Sequence, residues 1–345
     1  MTTMPQGRGA VTVGVDTHRD VHVGAVLNAA GRILGTVVVP TDHRGFHELE
    51  RFAAGFGEVA RVGVEGTGAY GAELARWLRR RGHQVLEVDR PDRKLRRAQG
   101  KSDPIDACSA ARQVLSGQAS GVPKTRDGRV EMIRVLRVAR RSAVRSRTQA
   151  MNQLHNLVLT APEPLRRALR PLPAAALVDR ASAFKIASTS TPSQATKLAM
   201  RELARRHLWL GDQITRVDRE LARLIPETAP ALVALKGVGI EVAGALLVTA
   251  GDNPERLRSE GSFAHLCGVA PLPASSGTTT RHRLNRGGDR AANNALWRIV
   301  MVRMSCDQRT RAYVARRTSE GLSKREIIRC LKRYVAREVF AALTA

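Results

Sequence analysis

Val11-Thr-Val-Gly-Val-Asp16 is a run of β-branched residues that stops on an acid. Such a run reads as a short strand, and Asp16 then stands at its carboxyl end. Two more β-rich runs follow, Val21–Leu27 and Arg32–Val39, each bounded by Gly or Asn/Ala turns, so the chain begins with a three-stranded meander. His43–Phe56 shows helical spacing through Phe46, Leu49 and Phe52. Ala60–Val64 is a fourth strand closed by Glu65, Ala69–Arg81 a helix carrying Leu74, Trp77 and Leu78 on one side, and Gln84–Val88 a fifth strand.

Further along, Gly100-Lys-Ser-Asp-Pro-Ile-Asp-Ala107 sets two acids three residues apart, followed by small residues that suit a helix. Pro104 in the first turn marks the helix start. Positions i and i+3 share a helix face, so Asp103 and Asp106 point at one spot. Taken alone, such a pair reads as an N-cap and a solvated acid. The order of three strands, helix, strand, helix, strand and helix matches an α/β ribonuclease H-like fold, and it changes that reading. Asp16, Glu65, Asp103 and Asp106 then stand at or near ends of elements that converge, where open α/β sheets place their sites. Adjacent carboxylates are costly to keep charged without a cation between them. Mg²⁺ takes oxygen ligands from one or two carboxylates plus water or phosphate. Two such ions about 3.5–4 Å apart serve phosphodiester chemistry.

The formal charge of +26 and pI near 11.4 call for a polyanionic partner. Aromatic residues make up only 3%, which argues against stacking-based single-strand binders. The cysteines Cys108, Cys267, Cys306 and Cys330 lack CxxC spacing and read as reduced thiols of a cytoplasmic protein. No signal peptide, amphipathic anchor or long apolar span is visible, so no membrane is expected. Between the fifth strand and the Asp103 helix, Arg90, Arg93, Lys94, Arg96, Arg97 and Lys101 form a stretch suited to gripping phosphate.

From Arg129 to Val158 apolar residues recur every seven positions at Leu136, Ala143, Ala150 and Leu157, interrupted by Arg140 and Arg147. Pro162 to Pro173 breaks the pattern. A second heptad run follows through Leu203, Leu210, Ile214, Val217, Leu221 and Leu224, with His207 the polar intruder. The two runs form an antiparallel pair or a coiled-coil dimer seam. Lys236-Gly-Val-Gly239 resembles the turn of a helix-hairpin-helix, whose amides grip phosphate, and it suits a plain tight turn equally well. Ser262–Ala270 reads as an apolar helix. A Ser/Gly/Thr loop over 271–280 then leads into Arg281, His282, Arg283, Arg286 and Arg290. On the residues alone, a serine there could act as a nucleophile on phosphorus, assisted by the arginines. From Asn293 onward two basic amphipathic helices are expected.

The chain resembles the DEDD transposases of insertion-sequence family 110, which include the Piv-type DNA invertases. The resemblance rests on Gly14-Val-Asp16, Val64-Glu-Gly-Thr-Gly-Ala-Tyr70, Lys101-Ser-Asp-Pro-Ile-Asp106, Leu235-Lys-Gly-Val-Gly239, Gly251-Asp252, Phe263-Ala-x-x-x-Gly268-Val-Ala-Pro271, Ser276-Gly277 and Arg286-Gly-Gly288. It implies a RuvC-like catalytic domain over 1–125, a helical coiled-coil insertion for dimerisation over 126–228 and a mainly helical transposase domain over 229–345. It further implies Mg²⁺ held by Asp16, Glu65, Asp103 and Asp106, and attack on DNA by Ser276, with Ser275 its neighbour, to form a covalent intermediate. A structured bridge RNA would guide a dimer or tetramer to its DNA. The nucleic-acid contacts expected are Arg93, Lys94, Arg96, Arg97, Lys101, Lys236, Gly237, Gly239, Arg281, Arg283, Arg286 and Arg290. Two departures stand out: His18-Arg19 where relatives often carry Lys, and Arg286-Gly-Gly-Asp289 in place of Arg-Gly-Asn. Both are expected to alter RNA or DNA contacts without touching the catalytic set. The alternative is a RuvC-like nuclease or junction resolvase without serine chemistry. An actin-like kinase fails for want of a second phosphate loop, and an architectural DNA-binding protein fails because aligned carboxylates would repel phosphate.

Overall fold

The computed structural model describes residues 9–88, 102–278 and 282–345. The basic positions Arg90, Arg93, Lys94, Arg96, Arg97 and Lys101, and also Arg281, lie outside the described residues. The chain forms two compact units. One comprises the described residues through Gly128 with Ala250–Ser259, and the other Arg129–Thr249 with Glu260–Ala345. No helix among the described residues is long and apolar enough to cross a membrane.

In the first unit, strands β1 (Val11–Thr17), β2 (Val21–Asn28), β3 (Ile33–Pro40), β4 (Val59–Glu65) and β5 (Val85–Val88) form one sheet in the order β3-β2-β1-β4-β5. The first three are antiparallel neighbours, while β4 runs parallel to both β1 and β5. This mixed sheet is compatible with the expected ribonuclease H-like arrangement. Helices α1 (His43–Ala54) and α2 (Ala72–Arg80) cover one face, burying Phe46, Leu49, Leu74 and Trp77 against Val13, Val15, Val62 and Val64. Helix α2 starts three residues later than its periodicity predicts. Gly66, at φ +68°, turns the chain after Glu65, and its carbonyl accepts from the amides of Ala69 and Gly71.

Helix α3 (Asp103–Leu115) covers the opposite face with Ala107, Cys108, Ala110, Ala111 and Val114. It lies unusually close to the sheet. A Cβ on Gly14 would fall 2.2 Å from both the Ala107 carbonyl oxygen and the Ala111 nitrogen, and one on Gly63 would fall 2.5 Å from Val114. Glycines on two adjacent strands, facing Ala107 and Ala111 at Gly14 and Val114 at Gly63, therefore set the separation.

The second unit is built on α4 (Arg129–Thr160) and α7 (Pro192–Thr228), with α5 (Glu163–Leu169) and α6 (Ala174–Ser182) between them. Arg140 pairs with Asp218, and His207 meets the Arg147 carbonyl at 3.3 Å, so the two long helices run antiparallel within one chain. The buried line on α4 runs through Val130, Ile133, Arg137, Ala143, Ala150, Leu154 and Val158, with Leu136 only half-buried. Arg137, 6% exposed, enters the seam because Glu241 of α9 (Ile240–Ala250) receives it, through its carbonyl at 2.8 Å and its carboxylate at 2.9 Å.

After the short α8 (Pro230–Val233), the chain runs through α9 and α10 (Glu260–Leu266), a β6–β7 hairpin (Leu272–Pro273, His282–Arg283), and then α11 (Arg290–Cys306), α12 (Gln308–Ser319) and α13 (Lys324–Thr344). Two expectations need correction. The Ser262–Ala270 helix stops at Leu266 because Gly268 turns the chain at φ +65°. From Asn293 on there are three helices, since Asp307 caps α12 at Thr310 and a Ser323/Glu326 capping box starts α13.

Replacing Gly14 with Ala should destabilise the first unit by about 1–3 kcal/mol through overpacking against α3. Gly9→Ala, where a Cβ meets nothing within 4 Å, should be nearly neutral. Urea unfolding followed by circular dichroism compares the two, and equal midpoints would contradict the packing described.

Candidate metal and nucleic-acid sites

Side chains alternate along a strand. Val13 and Val15 enter the α1–α2 core, so Gly14 and Asp16 face α3. On β4, Val62 and Val64 enter the same core, which places Gly63 and Glu65 on the α3 side. Val15 and Val64 are parallel register partners, so the two acids follow at matching positions on neighbouring strands. The Thr17 hydroxyl donates to the Glu65 carbonyl at 2.9 Å and fastens the two strand ends together.

The close seating of α3 brings its first turn to this corner. Ser102 precedes the helix, Asp103 and Pro104 open it, and Asp106 is only 4% exposed. A solvated role for Asp106 is thus ruled out by its burial. Asp16 is 7% exposed. Burial above all pushes the Asp16 carboxyl above its ordinary range. His18 pulls it back, and the neighbouring charges of Asp106 and Asp103 push it up again. Donor atoms of Asp16, His18 and Asp103 lie within 4.8 Å of one another, a donor set suited to a divalent cation.

His18 is the residue that sequence reasoning misplaced. Far from lying outside the acidic set, its Nε2 stands 3.1 Å from Asp16 Oδ2 and 3.3 Å from Asp103 Oδ1. Its spacing of two from Asp16 was the available signal, since alternation returns the chain to the same side. Asp289, the other departure, caps α11 through the amides of Ala291 and Ala292 and accepts from Thr249 at 3.0 Å.

Ser276 lies in the second unit, exposed on the β6–β7 hairpin, and is followed by Gly277 at φ +56°. Its neighbour Ser275 is likewise exposed. The base of this hairpin is framed by the 286–288 turn, where Gly288 packs so tightly on Gly268 that a Cβ would come within 2.2 Å of its nitrogen. Arg283, Arg286 and Arg290 are all exposed. Arg283 lines a 330 Å³ cleft with Arg329, Arg333 and Arg337 of α13, while Arg286 and Arg290 line a 490 Å³ cleft with Lys332. The α13 cations were missed, although their spacing of 329, 332, 333 and 337 marks one helix face. Gly237 takes φ +84° at the turn before α9, and Gly239 is exposed. Lys236 is exposed too, yet its ammonium is already engaged by the Cys306 carbonyl at 3.0 Å and by Asp307 at 3.4 Å.

The raised Asp16 carboxyl has a testable sign. In the window just above the ordinary carboxylate range the fold holds a proton that the unfolded chain has released, so acidification there favours folding. Above that window the charged Asp16 is carried at a cost. Asp16→Asn should therefore raise the metal-free unfolding temperature at neutral pH, and the gain should vanish on the acid side of the window. Calorimetry across pH checks this, and a neutral-pH loss would contradict it.

Comparison with known proteins bears on the same two regions. A family model of DEDD transposases of IS110 type, described as "Transposase", matches residues 13–161, and a second, "Transposase IS116/IS110/IS902 family", matches residues 229–315. The chain is 31% identical over 116 residues to "Insertion element IS110 uncharacterized 43.6 kDa protein" of Streptomyces coelicolor, covering 33% of this chain and 28% of that protein. It is 26% identical over 240 residues to "Transposase for insertion sequence element IS1328" of Yersinia enterocolitica, covering 67% of each. With one model spanning the sheet and α3 and the other spanning the Gly237 turn and the Ser276 hairpin, this chain belongs to the IS110 family of DEDD transposases.

Proposed function

We propose that the protein is a DNA transposase that cleaves and rejoins strands at a divalent-metal carboxylate site, with Ser276 as nucleophile. The observation that carries this reading is the gathering of Asp16 and Asp103, with the charge of buried Asp106 acting on Asp16, at the carboxyl end of β1. Glu65 completes the donor set from the neighbouring strand. In this reading the first unit is a RuvC-like catalytic domain. Bound Mg²⁺ would supply Lewis-acid activation of the phosphodiester.

The rest is done by side chains. The Ser276 oxygen forms a new bond to phosphorus, and the phosphorus–oxygen bond to the adjoining deoxyribose breaks. The serine proton leaves through a base, and the departing sugar oxygen takes up a proton to become a strand-end hydroxyl. One phosphodiester replaces another, so the strand end is stored at little energetic cost and is released when a second hydroxyl attacks. An exposed hairpin suits this task, because the hydroxyl must reach a phosphate in a duplex. Arg283, Arg286, Arg290 and the α13 cations hold the DNA or RNA backbone, and Gly237 and Gly239 leave the Lys236 turn open to phosphate. Such contacts read shape, so sequence would be read by pairing with a bridge RNA. The α4–α7 pair serves dimerisation of a dimer or tetramer acting in the cytoplasm.

Incubation with Mg²⁺, matching DNA and co-purified RNA, followed by denaturation, tests the chemistry. Wild type should give a protein–DNA adduct, and both Ser276→Ala and Asp106→Asn should lose it. Metal-dependent cleavage that survives Ser276→Ala without any adduct would replace this reading with a RuvC-like nuclease or resolvase.

A further inference from the structure

We propose that His18 is a direct nitrogen ligand of the divalent cation, so that the site is a mixed carboxylate–imidazole centre that favours Mn²⁺ over Mg²⁺. This rests on the reading that the carboxylates bind a divalent cation, and goes beyond it by adding a donor of different chemistry.

The donor spacing fits a bound ion. An octahedral ion with bonds of about 2.1 Å sets adjacent donors about 3.0 Å apart. His18 Nε2 lies 3.1 Å from one Asp16 oxygen and 3.3 Å from one Asp103 oxygen, so two edges of that arrangement already exist. The backbone supports the same geometry. The His18 amide donates to the Val21 carbonyl at 3.1 Å, and the Thr17 hydroxyl is fixed on the Glu65 carbonyl, so both sides of the β1 end are held. The imidazole is therefore delivered from a rigid strand end. It is half-exposed, as is Asp103, which leaves one side of the site open to substrate.

A neutral imidazole is a softer donor than a carboxylate or water oxygen, and transition-metal ions accept it more readily than Mg²⁺ does. A purely electrostatic role, in which a histidinium merely pairs with the two acids, predicts no nitrogen bond. His18→Lys separates the two, because an ammonium can still pair with Asp16 and Asp103 but cannot ligate. The nearby His22 is fully buried and stacks on Phe46, so it is a poor alternative source of nitrogen.

The test is pulsed electron paramagnetic resonance on the full chain loaded with Mn²⁺, together with competition by Mg²⁺. Wild type should show ¹⁴N modulation from one imidazole, absent in both His18→Ala and His18→Lys, with circular dichroism unchanged. The Mn²⁺-to-Mg²⁺ affinity ratio should fall at least about tenfold, the loss that even an outer-shell partner can cause. Mn²⁺ bound by wild type without ¹⁴N modulation, or modulation that persists in His18→Ala, overturns the proposal and leaves the carboxylate site standing. Failure of wild type to bind Mn²⁺ at all overturns the carboxylate reading, and this inference with it.

Discussion

The backbone of α3 approaches β1 more closely than any side chain would permit, because position 14 is glycine and the facing Ala107 and Ala111 are small, while on β4 the absence of a side chain at Gly63 makes room for Val114. Interiors are close-packed and transmit displacement, so this one distance propagates. Asp16 is two residues beyond Gly14, Glu65 two beyond Gly63, and Asp106 one before Ala107. A larger residue under the helix would lift the first turn of α3 away from the strand ends and separate the acids. The small residues are thus part of the site although they carry no chemistry.

The same packing creates an electrostatic problem. Asp16 and Asp106 are both buried, and the Asp106 charge acts on an Asp16 carboxyl already raised by burial. Carboxylates so placed lower one another's affinity for negative charge and raise it for a cation. His18 supplies part of the compensation. The rest of the chain has the opposite character, with an excess of 26 positive charges. Acids gathered at one corner of a strongly basic protein suit a reaction in which phosphate is gripped by cations and chemistry is confined to one place.

Much of the first unit was legible because its strands are β-rich runs that end at acids or turns and its helices have one apolar side. Asp16, Glu65 and the Asp103/Asp106 pair could be placed from strand ends and helix spacing alone. The less legible features depend on distant partners. Arg137 looks unsuited to a helix seam until Glu241 receives it. Residues 250–259 looked like part of the C-terminal region, yet they belong to the first unit. There Asn253 bonds Thr125 and Pro123, Arg256 donates to the Val122 carbonyl, and Gly251, at φ +93°, packs on Lys124. His18 was misjudged because one histidine has no periodicity, and only the fold shows what stands across from it.

Diffraction from crystals soaked in Mn²⁺, recorded for its anomalous signal, tests most directly whether the close seating of α3 builds a cation site. A peak is expected at the carboxyl end of β1, about 2.2 Å from oxygens of Asp16 and Asp103. Strong Mn²⁺ peaks elsewhere on the chain, with none beside Asp16, would contradict it.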